Sequence, residues 1–215
     1  MSARERILER IRRAQGRPRA LSAAESEEIE TRLARRPRGP LRPLPAEPLA
    51  AFLDAAHAAA CTSERVASEA EAPAAVARYL AAHGVAPVGC VWPALAALAW
   101  TQAGLQLEAR AARATDAVGV TGCFCAVAET GTLVLLSSPA TPASVSLLPE
   151  THVALVPLAR LVPHLEDAWT LVRAEAGRLP RAVNLVSGPS RTADIEQTIV
   201  LGAHGPARVH LVLVG

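Results

Sequence analysis

The sequence predicts an α/β protein built on a mostly parallel β-sheet with helices on both faces and one hairpin. Three observations support this fold class. Strand-like apolar runs alternate with helix-like segments over residues 46–215, as in sheets whose parallel strands are joined by helices. Apolar residues make up 51% of the chain and aromatic residues only 3%, so Ala, Val and Leu must fill the core. Two apolar runs are joined by Glu-Thr-Gly, which is typical of a hairpin.

Residues 1–45 are predicted to form a basic helical arm followed by a Pro-rich linker. They contain 12 arginines and six glutamates, a net charge of +6, whereas residues 46–215 carry −4. Ile7, Leu8 and Ile11 lie on one side of a charged pattern, which predicts a short amphipathic helix. Five prolines and one glycine between residues 35 and 48 predict an extended linker. We expect the folded domain to occupy residues 46–215.

Hydrophobic periodicity, together with Gly and Pro, defines the elements of this domain. Gly84 gives the stop signal of one helix, and Pro93 ends a short apolar run. Apolar residues at helical spacing from Leu161 to Val172 predict one face of another helix. The predicted helices span 48–60, 70–82, 94–103 and the region 161–172, the predicted strands span 62–67, 88–92, 152–157, 182–186 and 208–214, and the hairpin spans 123–138.

Composition excludes several classes of protein. All 22 basic residues are arginine, which excludes a lysine P-loop and Schiff-base catalysis. Residues 84–107 carry no charge and are long enough to cross a bilayer, but prolines and glycines interrupt them, so we expect a buried strand, turn and helix and no membrane span. No N-terminal segment has the order of a signal peptide, and we therefore expect a cytoplasmic protein with reduced thiols.

The arm and the cysteines offer little support for nucleic-acid or metal binding. Glutamates are interleaved with the arginines of the arm and aromatic residues are absent from it, which favours a solvated face or a subunit contact over nucleic acid. Self-association into a homo-oligomer is left open. Cys123 and Cys125 share a strand face without two further ligands nearby, and no iron–sulfur cysteine run occurs. We therefore predict no metal site and no cofactor held by this chain.

The stretch SGPSRTADIE, residues 187–196, is the first candidate ligand site. We expect it at the carboxyl end of an interior strand, where ligands bind in α/β sheets, with a short helix beginning there. Gly188 would let backbone amides approach a ligand, and Ser190 or Thr192 would cap the helix and bind a carboxylate or phosphate. Arg191 supplies a planar fork suited to the same anion.

The same stretch also has a purely structural interpretation. Asp194 would then be the helix N-cap with Gln197 three residues on, in a capping-box pattern, and Arg191 would balance the acids. Both interpretations stay open at this point. The candidate ligand contacts in this stretch are Ser187, Gly188, Ser190, Arg191, Thr192 and Asp194.

Glu129 and two histidines are the candidate groups for proton transfer or nucleophilic chemistry. Glu129 lies at the hairpin turn among apolar residues, where a carboxylate is costly unless it is paired or used. His152 opens a strand and His204 lies in a Gly-rich loop, and each could be an acid or base near neutral pH. An ordinary turn glutamate and backbone-bonded histidines are the alternative. Neighbouring candidate contacts are Thr130, Gly131 and Gly205.

Three segments agree with one known family in order and spacing. They are VTGCFCAVAETGTLVL (120–135), SLLPETHVALV (146–156) and SGPSRTADIEQTIVLGAHGPARVHLVLV (187–214). In these segments the chain resembles the LUD-domain family, in particular its lactate utilisation protein C (LutC) branch. The resemblance is close over most of residues 115–215, loose before them and absent from the basic arm.

The resemblance implies a fold similar to the sugar-phosphate isomerase and CoA-transferase group and a role in oxidising L-lactate to pyruvate. It implies partner subunits that carry iron–sulfur clusters, with this chain as the cluster-free member. It also places Glu129 at the position of a Glu-Asn-Gly turn whose glutamate is acylated in CoA-transferases of similar fold, with Thr130 in place of the asparagine.

Three hypotheses about function follow. The first is a cytoplasmic subunit of a lactate-oxidising complex that binds a small carboxylate or phosphate-bearing ligand. Arg191 would hold the anion, and Glu129 with His204 or His152 would move protons. The second is a stand-alone acyl-CoA transferase or sugar-phosphate isomerase that uses Glu129 as nucleophile or base. The third is a non-catalytic structural or regulatory subunit that stabilises iron–sulfur partners through the basic arm.

Overall fold

The chain folds into two compact units, Met1–Leu41 and Arg42–Gly215. The computed structural model describes residues 2–16, 21–45, 47–195 and 198–215, and it describes side chains there except at 193–199. The first unit contains helices α1 (Ala3–Ala14) and α2 (Ala23–Arg35). Each begins at a serine whose hydroxyl accepts the backbone N–H of a glutamate three residues on, a reciprocal capping box. Helix α1 confirms the predicted amphipathic helix.

The second unit contains four helices and twelve strands among its described residues. The helices are α3 (Pro48–Ala58), α4 (Ala72–Ala82), α5 (Ser144–Leu147) and α6 (Leu165–Glu175). The strands are β1 (Thr62–Val66), β2 (Val88–Val91), β3 (Gln106–Ala109), β4 (Val118–Thr121), β5 (Cys125–Val127), β6 (Thr132–Leu136), β7 (Thr151–Pro157), β8 (Leu161–Val162), β9 (Val183–Val186), β10 (Arg191–Ile195), β11 (Thr198–Leu201) and β12 (Arg208–Val214).

Six of these strands form the parallel sheet that the alternation of elements predicts. Their order is β1-β12-β7-β4-β2-β3, and every neighbouring pair is parallel. Along β12, Val209, Leu211 and Leu213 pack on one face with α3, whereas Val212 packs on the other face with α4. Both faces of the sheet are therefore covered by helices, as expected for a parallel sheet.

The predicted hairpin forms, but it lies outside the main sheet. Strands β5 and β6 are antiparallel, with Cys125 opposite Val134, and they belong to a smaller mixed sheet of order β8-β5-β6-β9. Ala126 and Ala128 of this sheet pack toward α3 and the main sheet, while Cys125 and Val127 pack against α6. The second sheet thus adds a layer that the sequence analysis did not anticipate, because the hairpin pairs with β8 and β9, which are distant from it in sequence.

The charge-free run 84–107 forms strand β2 and short turns. The helix predicted over 94–103 is wrong, because two 3₁₀ turns, Pro93–Leu95 and Thr101–Ala103, take its place. The Trp100 indole donates to the Leu95 carbonyl at 2.9 Å, which satisfies a backbone acceptor that a regular helix would use. Within the described ranges, no helix has the length and apolar character needed to cross a membrane.

A buried ion pair precedes β4, a strand that the sequence analysis missed. The Arg110 guanidinium donates to both carboxylate oxygens of Asp116 at 2.8 Å, and the Arg113 backbone N–H donates to the same carboxylate. These bonds, first of all the one from Arg110, lower the pKa of Asp116 to about 2. The polar loop therefore folds back on itself immediately before a four-residue strand whose residues are all buried.

Two histidines are buried in the main sheet with one ring nitrogen each unsatisfied. His152 on β7 bonds Thr121 through Nε2 at 2.8 Å, and His210 on β12 bonds Thr62 through Nδ1 at 2.8 Å. Their other ring nitrogens have no hydrogen-bond partner among the described residues. The His210 ring stacks on Tyr79 at 3.9 Å between centroids. Burial lowers the pKa of each histidine to about 4, so both are neutral at pH 7.

Two glycines with positive φ lie very close to the backbone at the C-terminal half of helix α3. Gly131 has φ +62°, and a Cβ there would lie 2.4 Å from the Ala56 nitrogen. Gly188 has φ +92°, and a Cβ there would lie 2.3 Å from the Ala59 carbonyl oxygen. Because Gly131 contacts the backbone of α3 and Gly188 contacts the backbone of its C-terminal cap, a side chain at either position would push the helix away.

We expect Gly131→Ala to destabilise the second unit by about 3 kcal/mol or more, from left-handed strain plus overpacking. Gly177→Ala is the matched control, because Gly177 has the same φ of +62° but nothing within 4 Å of its Cβ position. The control should cost about 1 kcal/mol. Urea unfolding of both variants measures the difference, and equal costs would show that α3 does not press on Gly131.

We expect the free energy of unfolding to fall as pH drops from about 6.5 to about 4. The folded-state pKa of His152 and His210 lies below that of the unfolded chain, so the unfolded state binds more protons in this window, and the stability present above pH 6.5 is lost on acidification. His152→Gln should flatten this dependence by about 3 kcal/mol. Urea unfolding at several pH values measures the slope, with His210→Gln as a second variant. Curves parallel to the wild type for both variants would contradict the burial argument.

Candidate functional site

The turn after β5 contacts the backbone of α3, and a chain of hydroxyls links the turn to the residue after β9. Gly131 sits on the Ala56 backbone. Thr130 Oγ1 and Thr132 Oγ1 are 2.7 Å apart, and Thr132 Oγ1 is 2.6 Å from Ser187 Oγ. Thr132 is buried, whereas Thr130 and Ser187 are exposed. The structure therefore joins the first and second candidate segments through three hydroxyls that can orient a ligand or relay a proton.

Glu129 lies at the N-terminus of α6, beside this hydroxyl chain. Its Oε1 accepts the Leu165 backbone N–H at 3.0 Å, and its own N–H donates to the Pro163 carbonyl at 3.1 Å. An anion is stabilised at this end of a helix by unpaired N–H groups and by the helix dipole. The half-buried Glu129 therefore has a structural partner, which accounts for a carboxylate in an apolar hairpin.

A cavity of about 260 Å³ borders Glu129 on the side of α3. Asp54 and Ala55 of α3 line it together with residues 42–45. The linker residues closest to the domain thus form one wall of the cavity, and Arg42 and Asp54 bring charge to it. Sequence analysis missed both, because Arg42 belongs to a Pro-rich stretch and Asp54 to a helix pattern that indicates only a solvent-facing residue.

His164 is a further polar residue near Glu129 that the sequence analysis did not select. Its Nε2 bonds the Arg42 carbonyl at 2.9 Å, and its Nδ1 is 3.4 Å from the Asp167 carboxylate. The Arg42 bond is the main cause that raises the pKa of His164, and the charges of Glu129 and Asp167 add to it. The sequence feature that could have identified His164 is its position immediately before α6, where capping residues occur.

The loops around residues 188–191 and 202–206 meet at the other end of α3. The Ser190 N–H donates to the Pro206 carbonyl at 2.8 Å, and a Cβ on Gly205 would lie 3.2 Å from the Ser190 Cβ. Arg191 donates from Nη2 to the Ala59 carbonyl at 3.1 Å. This contact satisfies a carbonyl just past the end of α3, where a cation is favourable. Ser190, Arg191 and Gly205 therefore form one local group.

The predicted context of residues 187–196 is wrong in two respects. The stretch follows β9, which is an edge strand of the smaller sheet, and it enters the antiparallel hairpin β10–β11 where a helix was expected. Relative to the main sheet it lies at amino ends of strands, because residues 205–207 pack beside Leu147 and Glu150 just before β7. The helix error arises because Thr192 pairs with Val200 and Ile195 with Thr198, so a short hairpin forms in place of the helix that the capping pattern predicts. The strand error arises because β9 pairs with β6 alone among the described strands.

The remaining candidates lie apart from one another. His152 is fully buried in the sheet, and His204 is exposed on the loop before β12. Thr192 is half-buried in the β10–β11 hairpin. The side chain of Asp194 lies outside the described residues, as do Glu196 and Gln197 entirely. The structure thus groups Glu129, Thr130, Gly131 and Ser187 along α3, and Ser190, Arg191 and Gly205 at its end.

The four cysteines are dispersed and held as thiols. Cys61 and Cys90 belong to the core beside α3, and Cys125 belongs to the cluster beneath α6. Burial raises the pKa of Cys61 and Cys125 to about 11 and that of Cys90 and Cys123 to about 12. Among the described side chains, no three His, Cys, Asp or Glu residues are placed to hold a metal ion.

Comparison with known proteins places this arrangement in a family. Residues 94–214, more than half of the chain, match the LUD domain. The chain is 41% identical over 119 residues to lactate utilization protein C 1 of Bacillus mycoides, covering 54% of this chain and 50% of that protein. It is 38% identical over 127 residues to lactate utilization protein C of Bacillus subtilis, covering 57% and 53%. The chain thus spans about half the length of the curated relatives it matches.

A solved structure extends the similarity to the fold. The crystal structure of a DUF162 family protein from Deinococcus radiodurans superposes with a TM-score of 0.60 at 26% identity, covering 80% of this chain and all of that one. The matched LUD domain residues include β4 to β7, β12 and both candidate segments along α3. The chain belongs to the LUD domain family.

Proposed function

We propose that this chain acts in lactate utilisation, as the cluster-free cytoplasmic subunit of an iron–sulfur-dependent complex that oxidises L-lactate to pyruvate. The observation that carries the proposal is its similarity to lactate utilization protein C from two Bacillus species, at 41% and 38% identity. The similarity covers about half of each relative, so the role of the whole relative is transferred here only as a hypothesis. The proposal also includes the similarity in fold to the sugar-phosphate isomerases and CoA-transferases that the resemblance implies.

The iron–sulfur partners of this proposal are those that the resemblance implies, and the cysteine chemistry of the chain is compatible with that assignment. Oxidation of lactate releases two electrons, and these require an acceptor. Burial raises the pKa values of the four thiols, which disfavours the thiolate form that ligates iron. We therefore assign the electron-carrying clusters to partner subunits and the binding of a small ligand to this chain.

We place the ligand of this proposal, a small carboxylate or a phosphate-bearing molecule, at the end of α3. Arg191 donates one N–H to Ala59 and retains further donors of its planar fork for an anion. Ser190, Thr192 and the backbone at Gly188 and Gly205 would orient it. The exposed His204 would exchange protons with solvent. We assign His152 to the sheet core, because it is fully buried and its pKa is lowered to about 4.

Glu129 gives a second candidate function, acyl transfer or isomerisation by this chain alone. One carboxylate oxygen is held by the Leu165 N–H, and the residue borders a cavity of about 260 Å³. A held carboxylate beside a cavity is suited to act as a nucleophile or base. The same contact also supports a purely structural role as a cap of α6, which corresponds to the non-catalytic alternative.

Growth on L-lactate tests the first function. Deleting the chain should abolish growth on L-lactate but not on pyruvate. Arg191→Gln should slow growth on L-lactate by about fivefold or more, because the variant lacks the guanidinium that would bind the anion through two N–H groups. Arg65→Gln is the matched control, because Arg65 is also an exposed strand arginine that donates to one backbone carbonyl, that of Gly215 at 2.8 Å. Growth rates and the cellular abundance of each variant are measured together.

The results of these growth experiments distinguish the proposed role in lactate utilisation from the proposed ligand site. Growth of the deletion strain on L-lactate would contradict the lactate role. Wild-type growth of Arg191→Gln in a strain that does require the chain would contradict the ligand site alone, and would favour a structural or regulatory subunit.

Glu129→Gln distinguishes chemistry from capping. The amide oxygen of glutamine can still accept the Leu165 N–H, so a capping role predicts normal stability and normal growth. Acyl transfer predicts loss of growth together with a covalent adduct at Glu129 in the wild type after incubation with an acyl-CoA. Mass spectrometry of the tryptic peptide measures the adduct, and an unmodified peptide with full growth of Glu129→Gln would rule out the second candidate.

A further inference from the structure

In the main sheet, the connections that leave the neighbouring parallel strands β2 and β4 run toward opposite edges of the sheet. After β2 the chain continues to β3 on one side of it, whereas after β4 the next strand of this sheet is β7, on the opposite side. In open parallel sheets the connections then diverge and leave a crevice at the carboxyl ends of the two strands, where ligands bind. This crevice is separate from the loops at the end of α3, which lie at amino ends of strands.

A cavity of about 330 Å³ occupies this position. Its walls include Trp92, the first residue after β2, and Cys123 and Phe124, which follow β4. Ser137 after β6 and Arg178 after α6 close the opposite side. The volume lies at the lower end of the range for small-molecule sites, which suits a ligand of about one or two rings.

The aromatic walls are fixed by contacts outside the cavity. The Trp92 indole N–H donates to the Pro142 carbonyl at 3.0 Å, and the Trp92 backbone N–H donates to the Val120 carbonyl at 2.9 Å. The Arg160 guanidinium lies 4.7 Å from the centre of the Phe124 ring and donates to the Phe124 carbonyl at 2.8 Å. The two rings are therefore preorganised to pack against a flat ligand.

The hydroxyls of the cavity leave one donor unused. The Thr141 hydroxyl donates to the Leu136 carbonyl, so the Ser138 hydroxyl must donate to Thr141. The Ser137 hydroxyl accepts the Ala182 N–H at 2.9 Å, and its own proton has no acceptor among the described residues. Ser137 can therefore donate to a ligand.

The charge of the cavity is positive. The Arg178 guanidinium makes no hydrogen bond or ion pair with any residue that the structure describes, and no acidic side chain is among the lining residues. Glu175, at the end of α6, is held by Arg160 through two bonds of 2.8 and 2.9 Å. Burial, with a contribution from Cys125, raises the pKa of Cys123 to about 12, so this thiol adds no charge. The polar groups left for a ligand are thus donors, one of them cationic.

We propose that this cavity is a binding site for a small aromatic molecule that carries one carboxylate or phosphate group. The ring packs between Trp92 and Phe124, and the anionic group accepts hydrogen bonds from Arg178 and the Ser137 hydroxyl. The site does not depend on the proposed role in lactate utilisation, since it uses none of the residues assigned to that role.

Calorimetric titration of the full chain with benzoate and with phenyl phosphate tests the site. We expect saturable binding of at least one of them, with benzyl alcohol and acetate binding much more weakly because each lacks one of the two features. Binding should also shift the indole N–H signal of Trp92 in a nitrogen–proton correlation spectrum, identified by its absence in Trp92→Phe. The signals of Trp100 and Trp169 should not move.

Arg178→Gln should weaken binding of the anion by about fivefold. Arg173→Gln is the matched control, because Arg173 is an exposed arginine on α6 that does not line the cavity. Both variants leave the core intact, so folding does not limit the test. No saturable binding of either aromatic anion, an unchanged affinity in Arg178→Gln, or binding that leaves the Trp92 signal in place would each overturn the proposal.

Discussion

The close packing of two glycines on the backbone of α3 is the constraint on which the arrangement of the candidate site depends. A Cβ would lie 2.4 Å from helix backbone at Gly131 and 2.3 Å at Gly188, so neither position has room for a side chain. These contacts bring the turn of the smaller sheet and the loop after β9 to one helix, which itself packs on the main sheet. Without them the contact between the two sheets would rest on apolar packing, which is non-directional, and on single hydrogen bonds such as that from Arg160 to the Phe124 carbonyl.

This packing gathers the candidate residues into two groups at different positions along α3. Contacts with the turn and with the loop lie along the helix from Ala55 to Ala59, a distance of about 6 Å along its axis. Glu129 belongs to one end with His164 and Arg42, and Arg191 belongs to the other with Ser190 and Gly205. The Thr130, Thr132 and Ser187 hydroxyls link the turn to the start of the loop that carries Ser190 and Arg191, and a ligand that used both groups would lie along this link.

Regular local patterns explain which parts of the fold could be predicted. The 3.6-residue periodicity and end signals gave α3, α4 and α6, and the buried apolar runs gave β2, β7 and β12. The second sheet and β4 escaped prediction because they depend on partners distant in sequence. The hairpin β10–β11 pairs residues only three to ten positions apart, and it was missed because its residues also fit a helix-capping pattern. Glu129 and Arg191 were selected for their chemistry, but their contacts with Leu165 and Ala59 could not be inferred, since each bond spans more than 30 residues.

Hydrogen–deuterium exchange in Gly188→Ala tests most directly whether α3 holds the two segments together. The account predicts faster exchange in three places at once: residues 48–58, the loop near the substitution, and the turn 129–132 beyond it. Faster exchange confined to residues near 188, with α3 and the turn protected as in the wild type, would contradict the central claim.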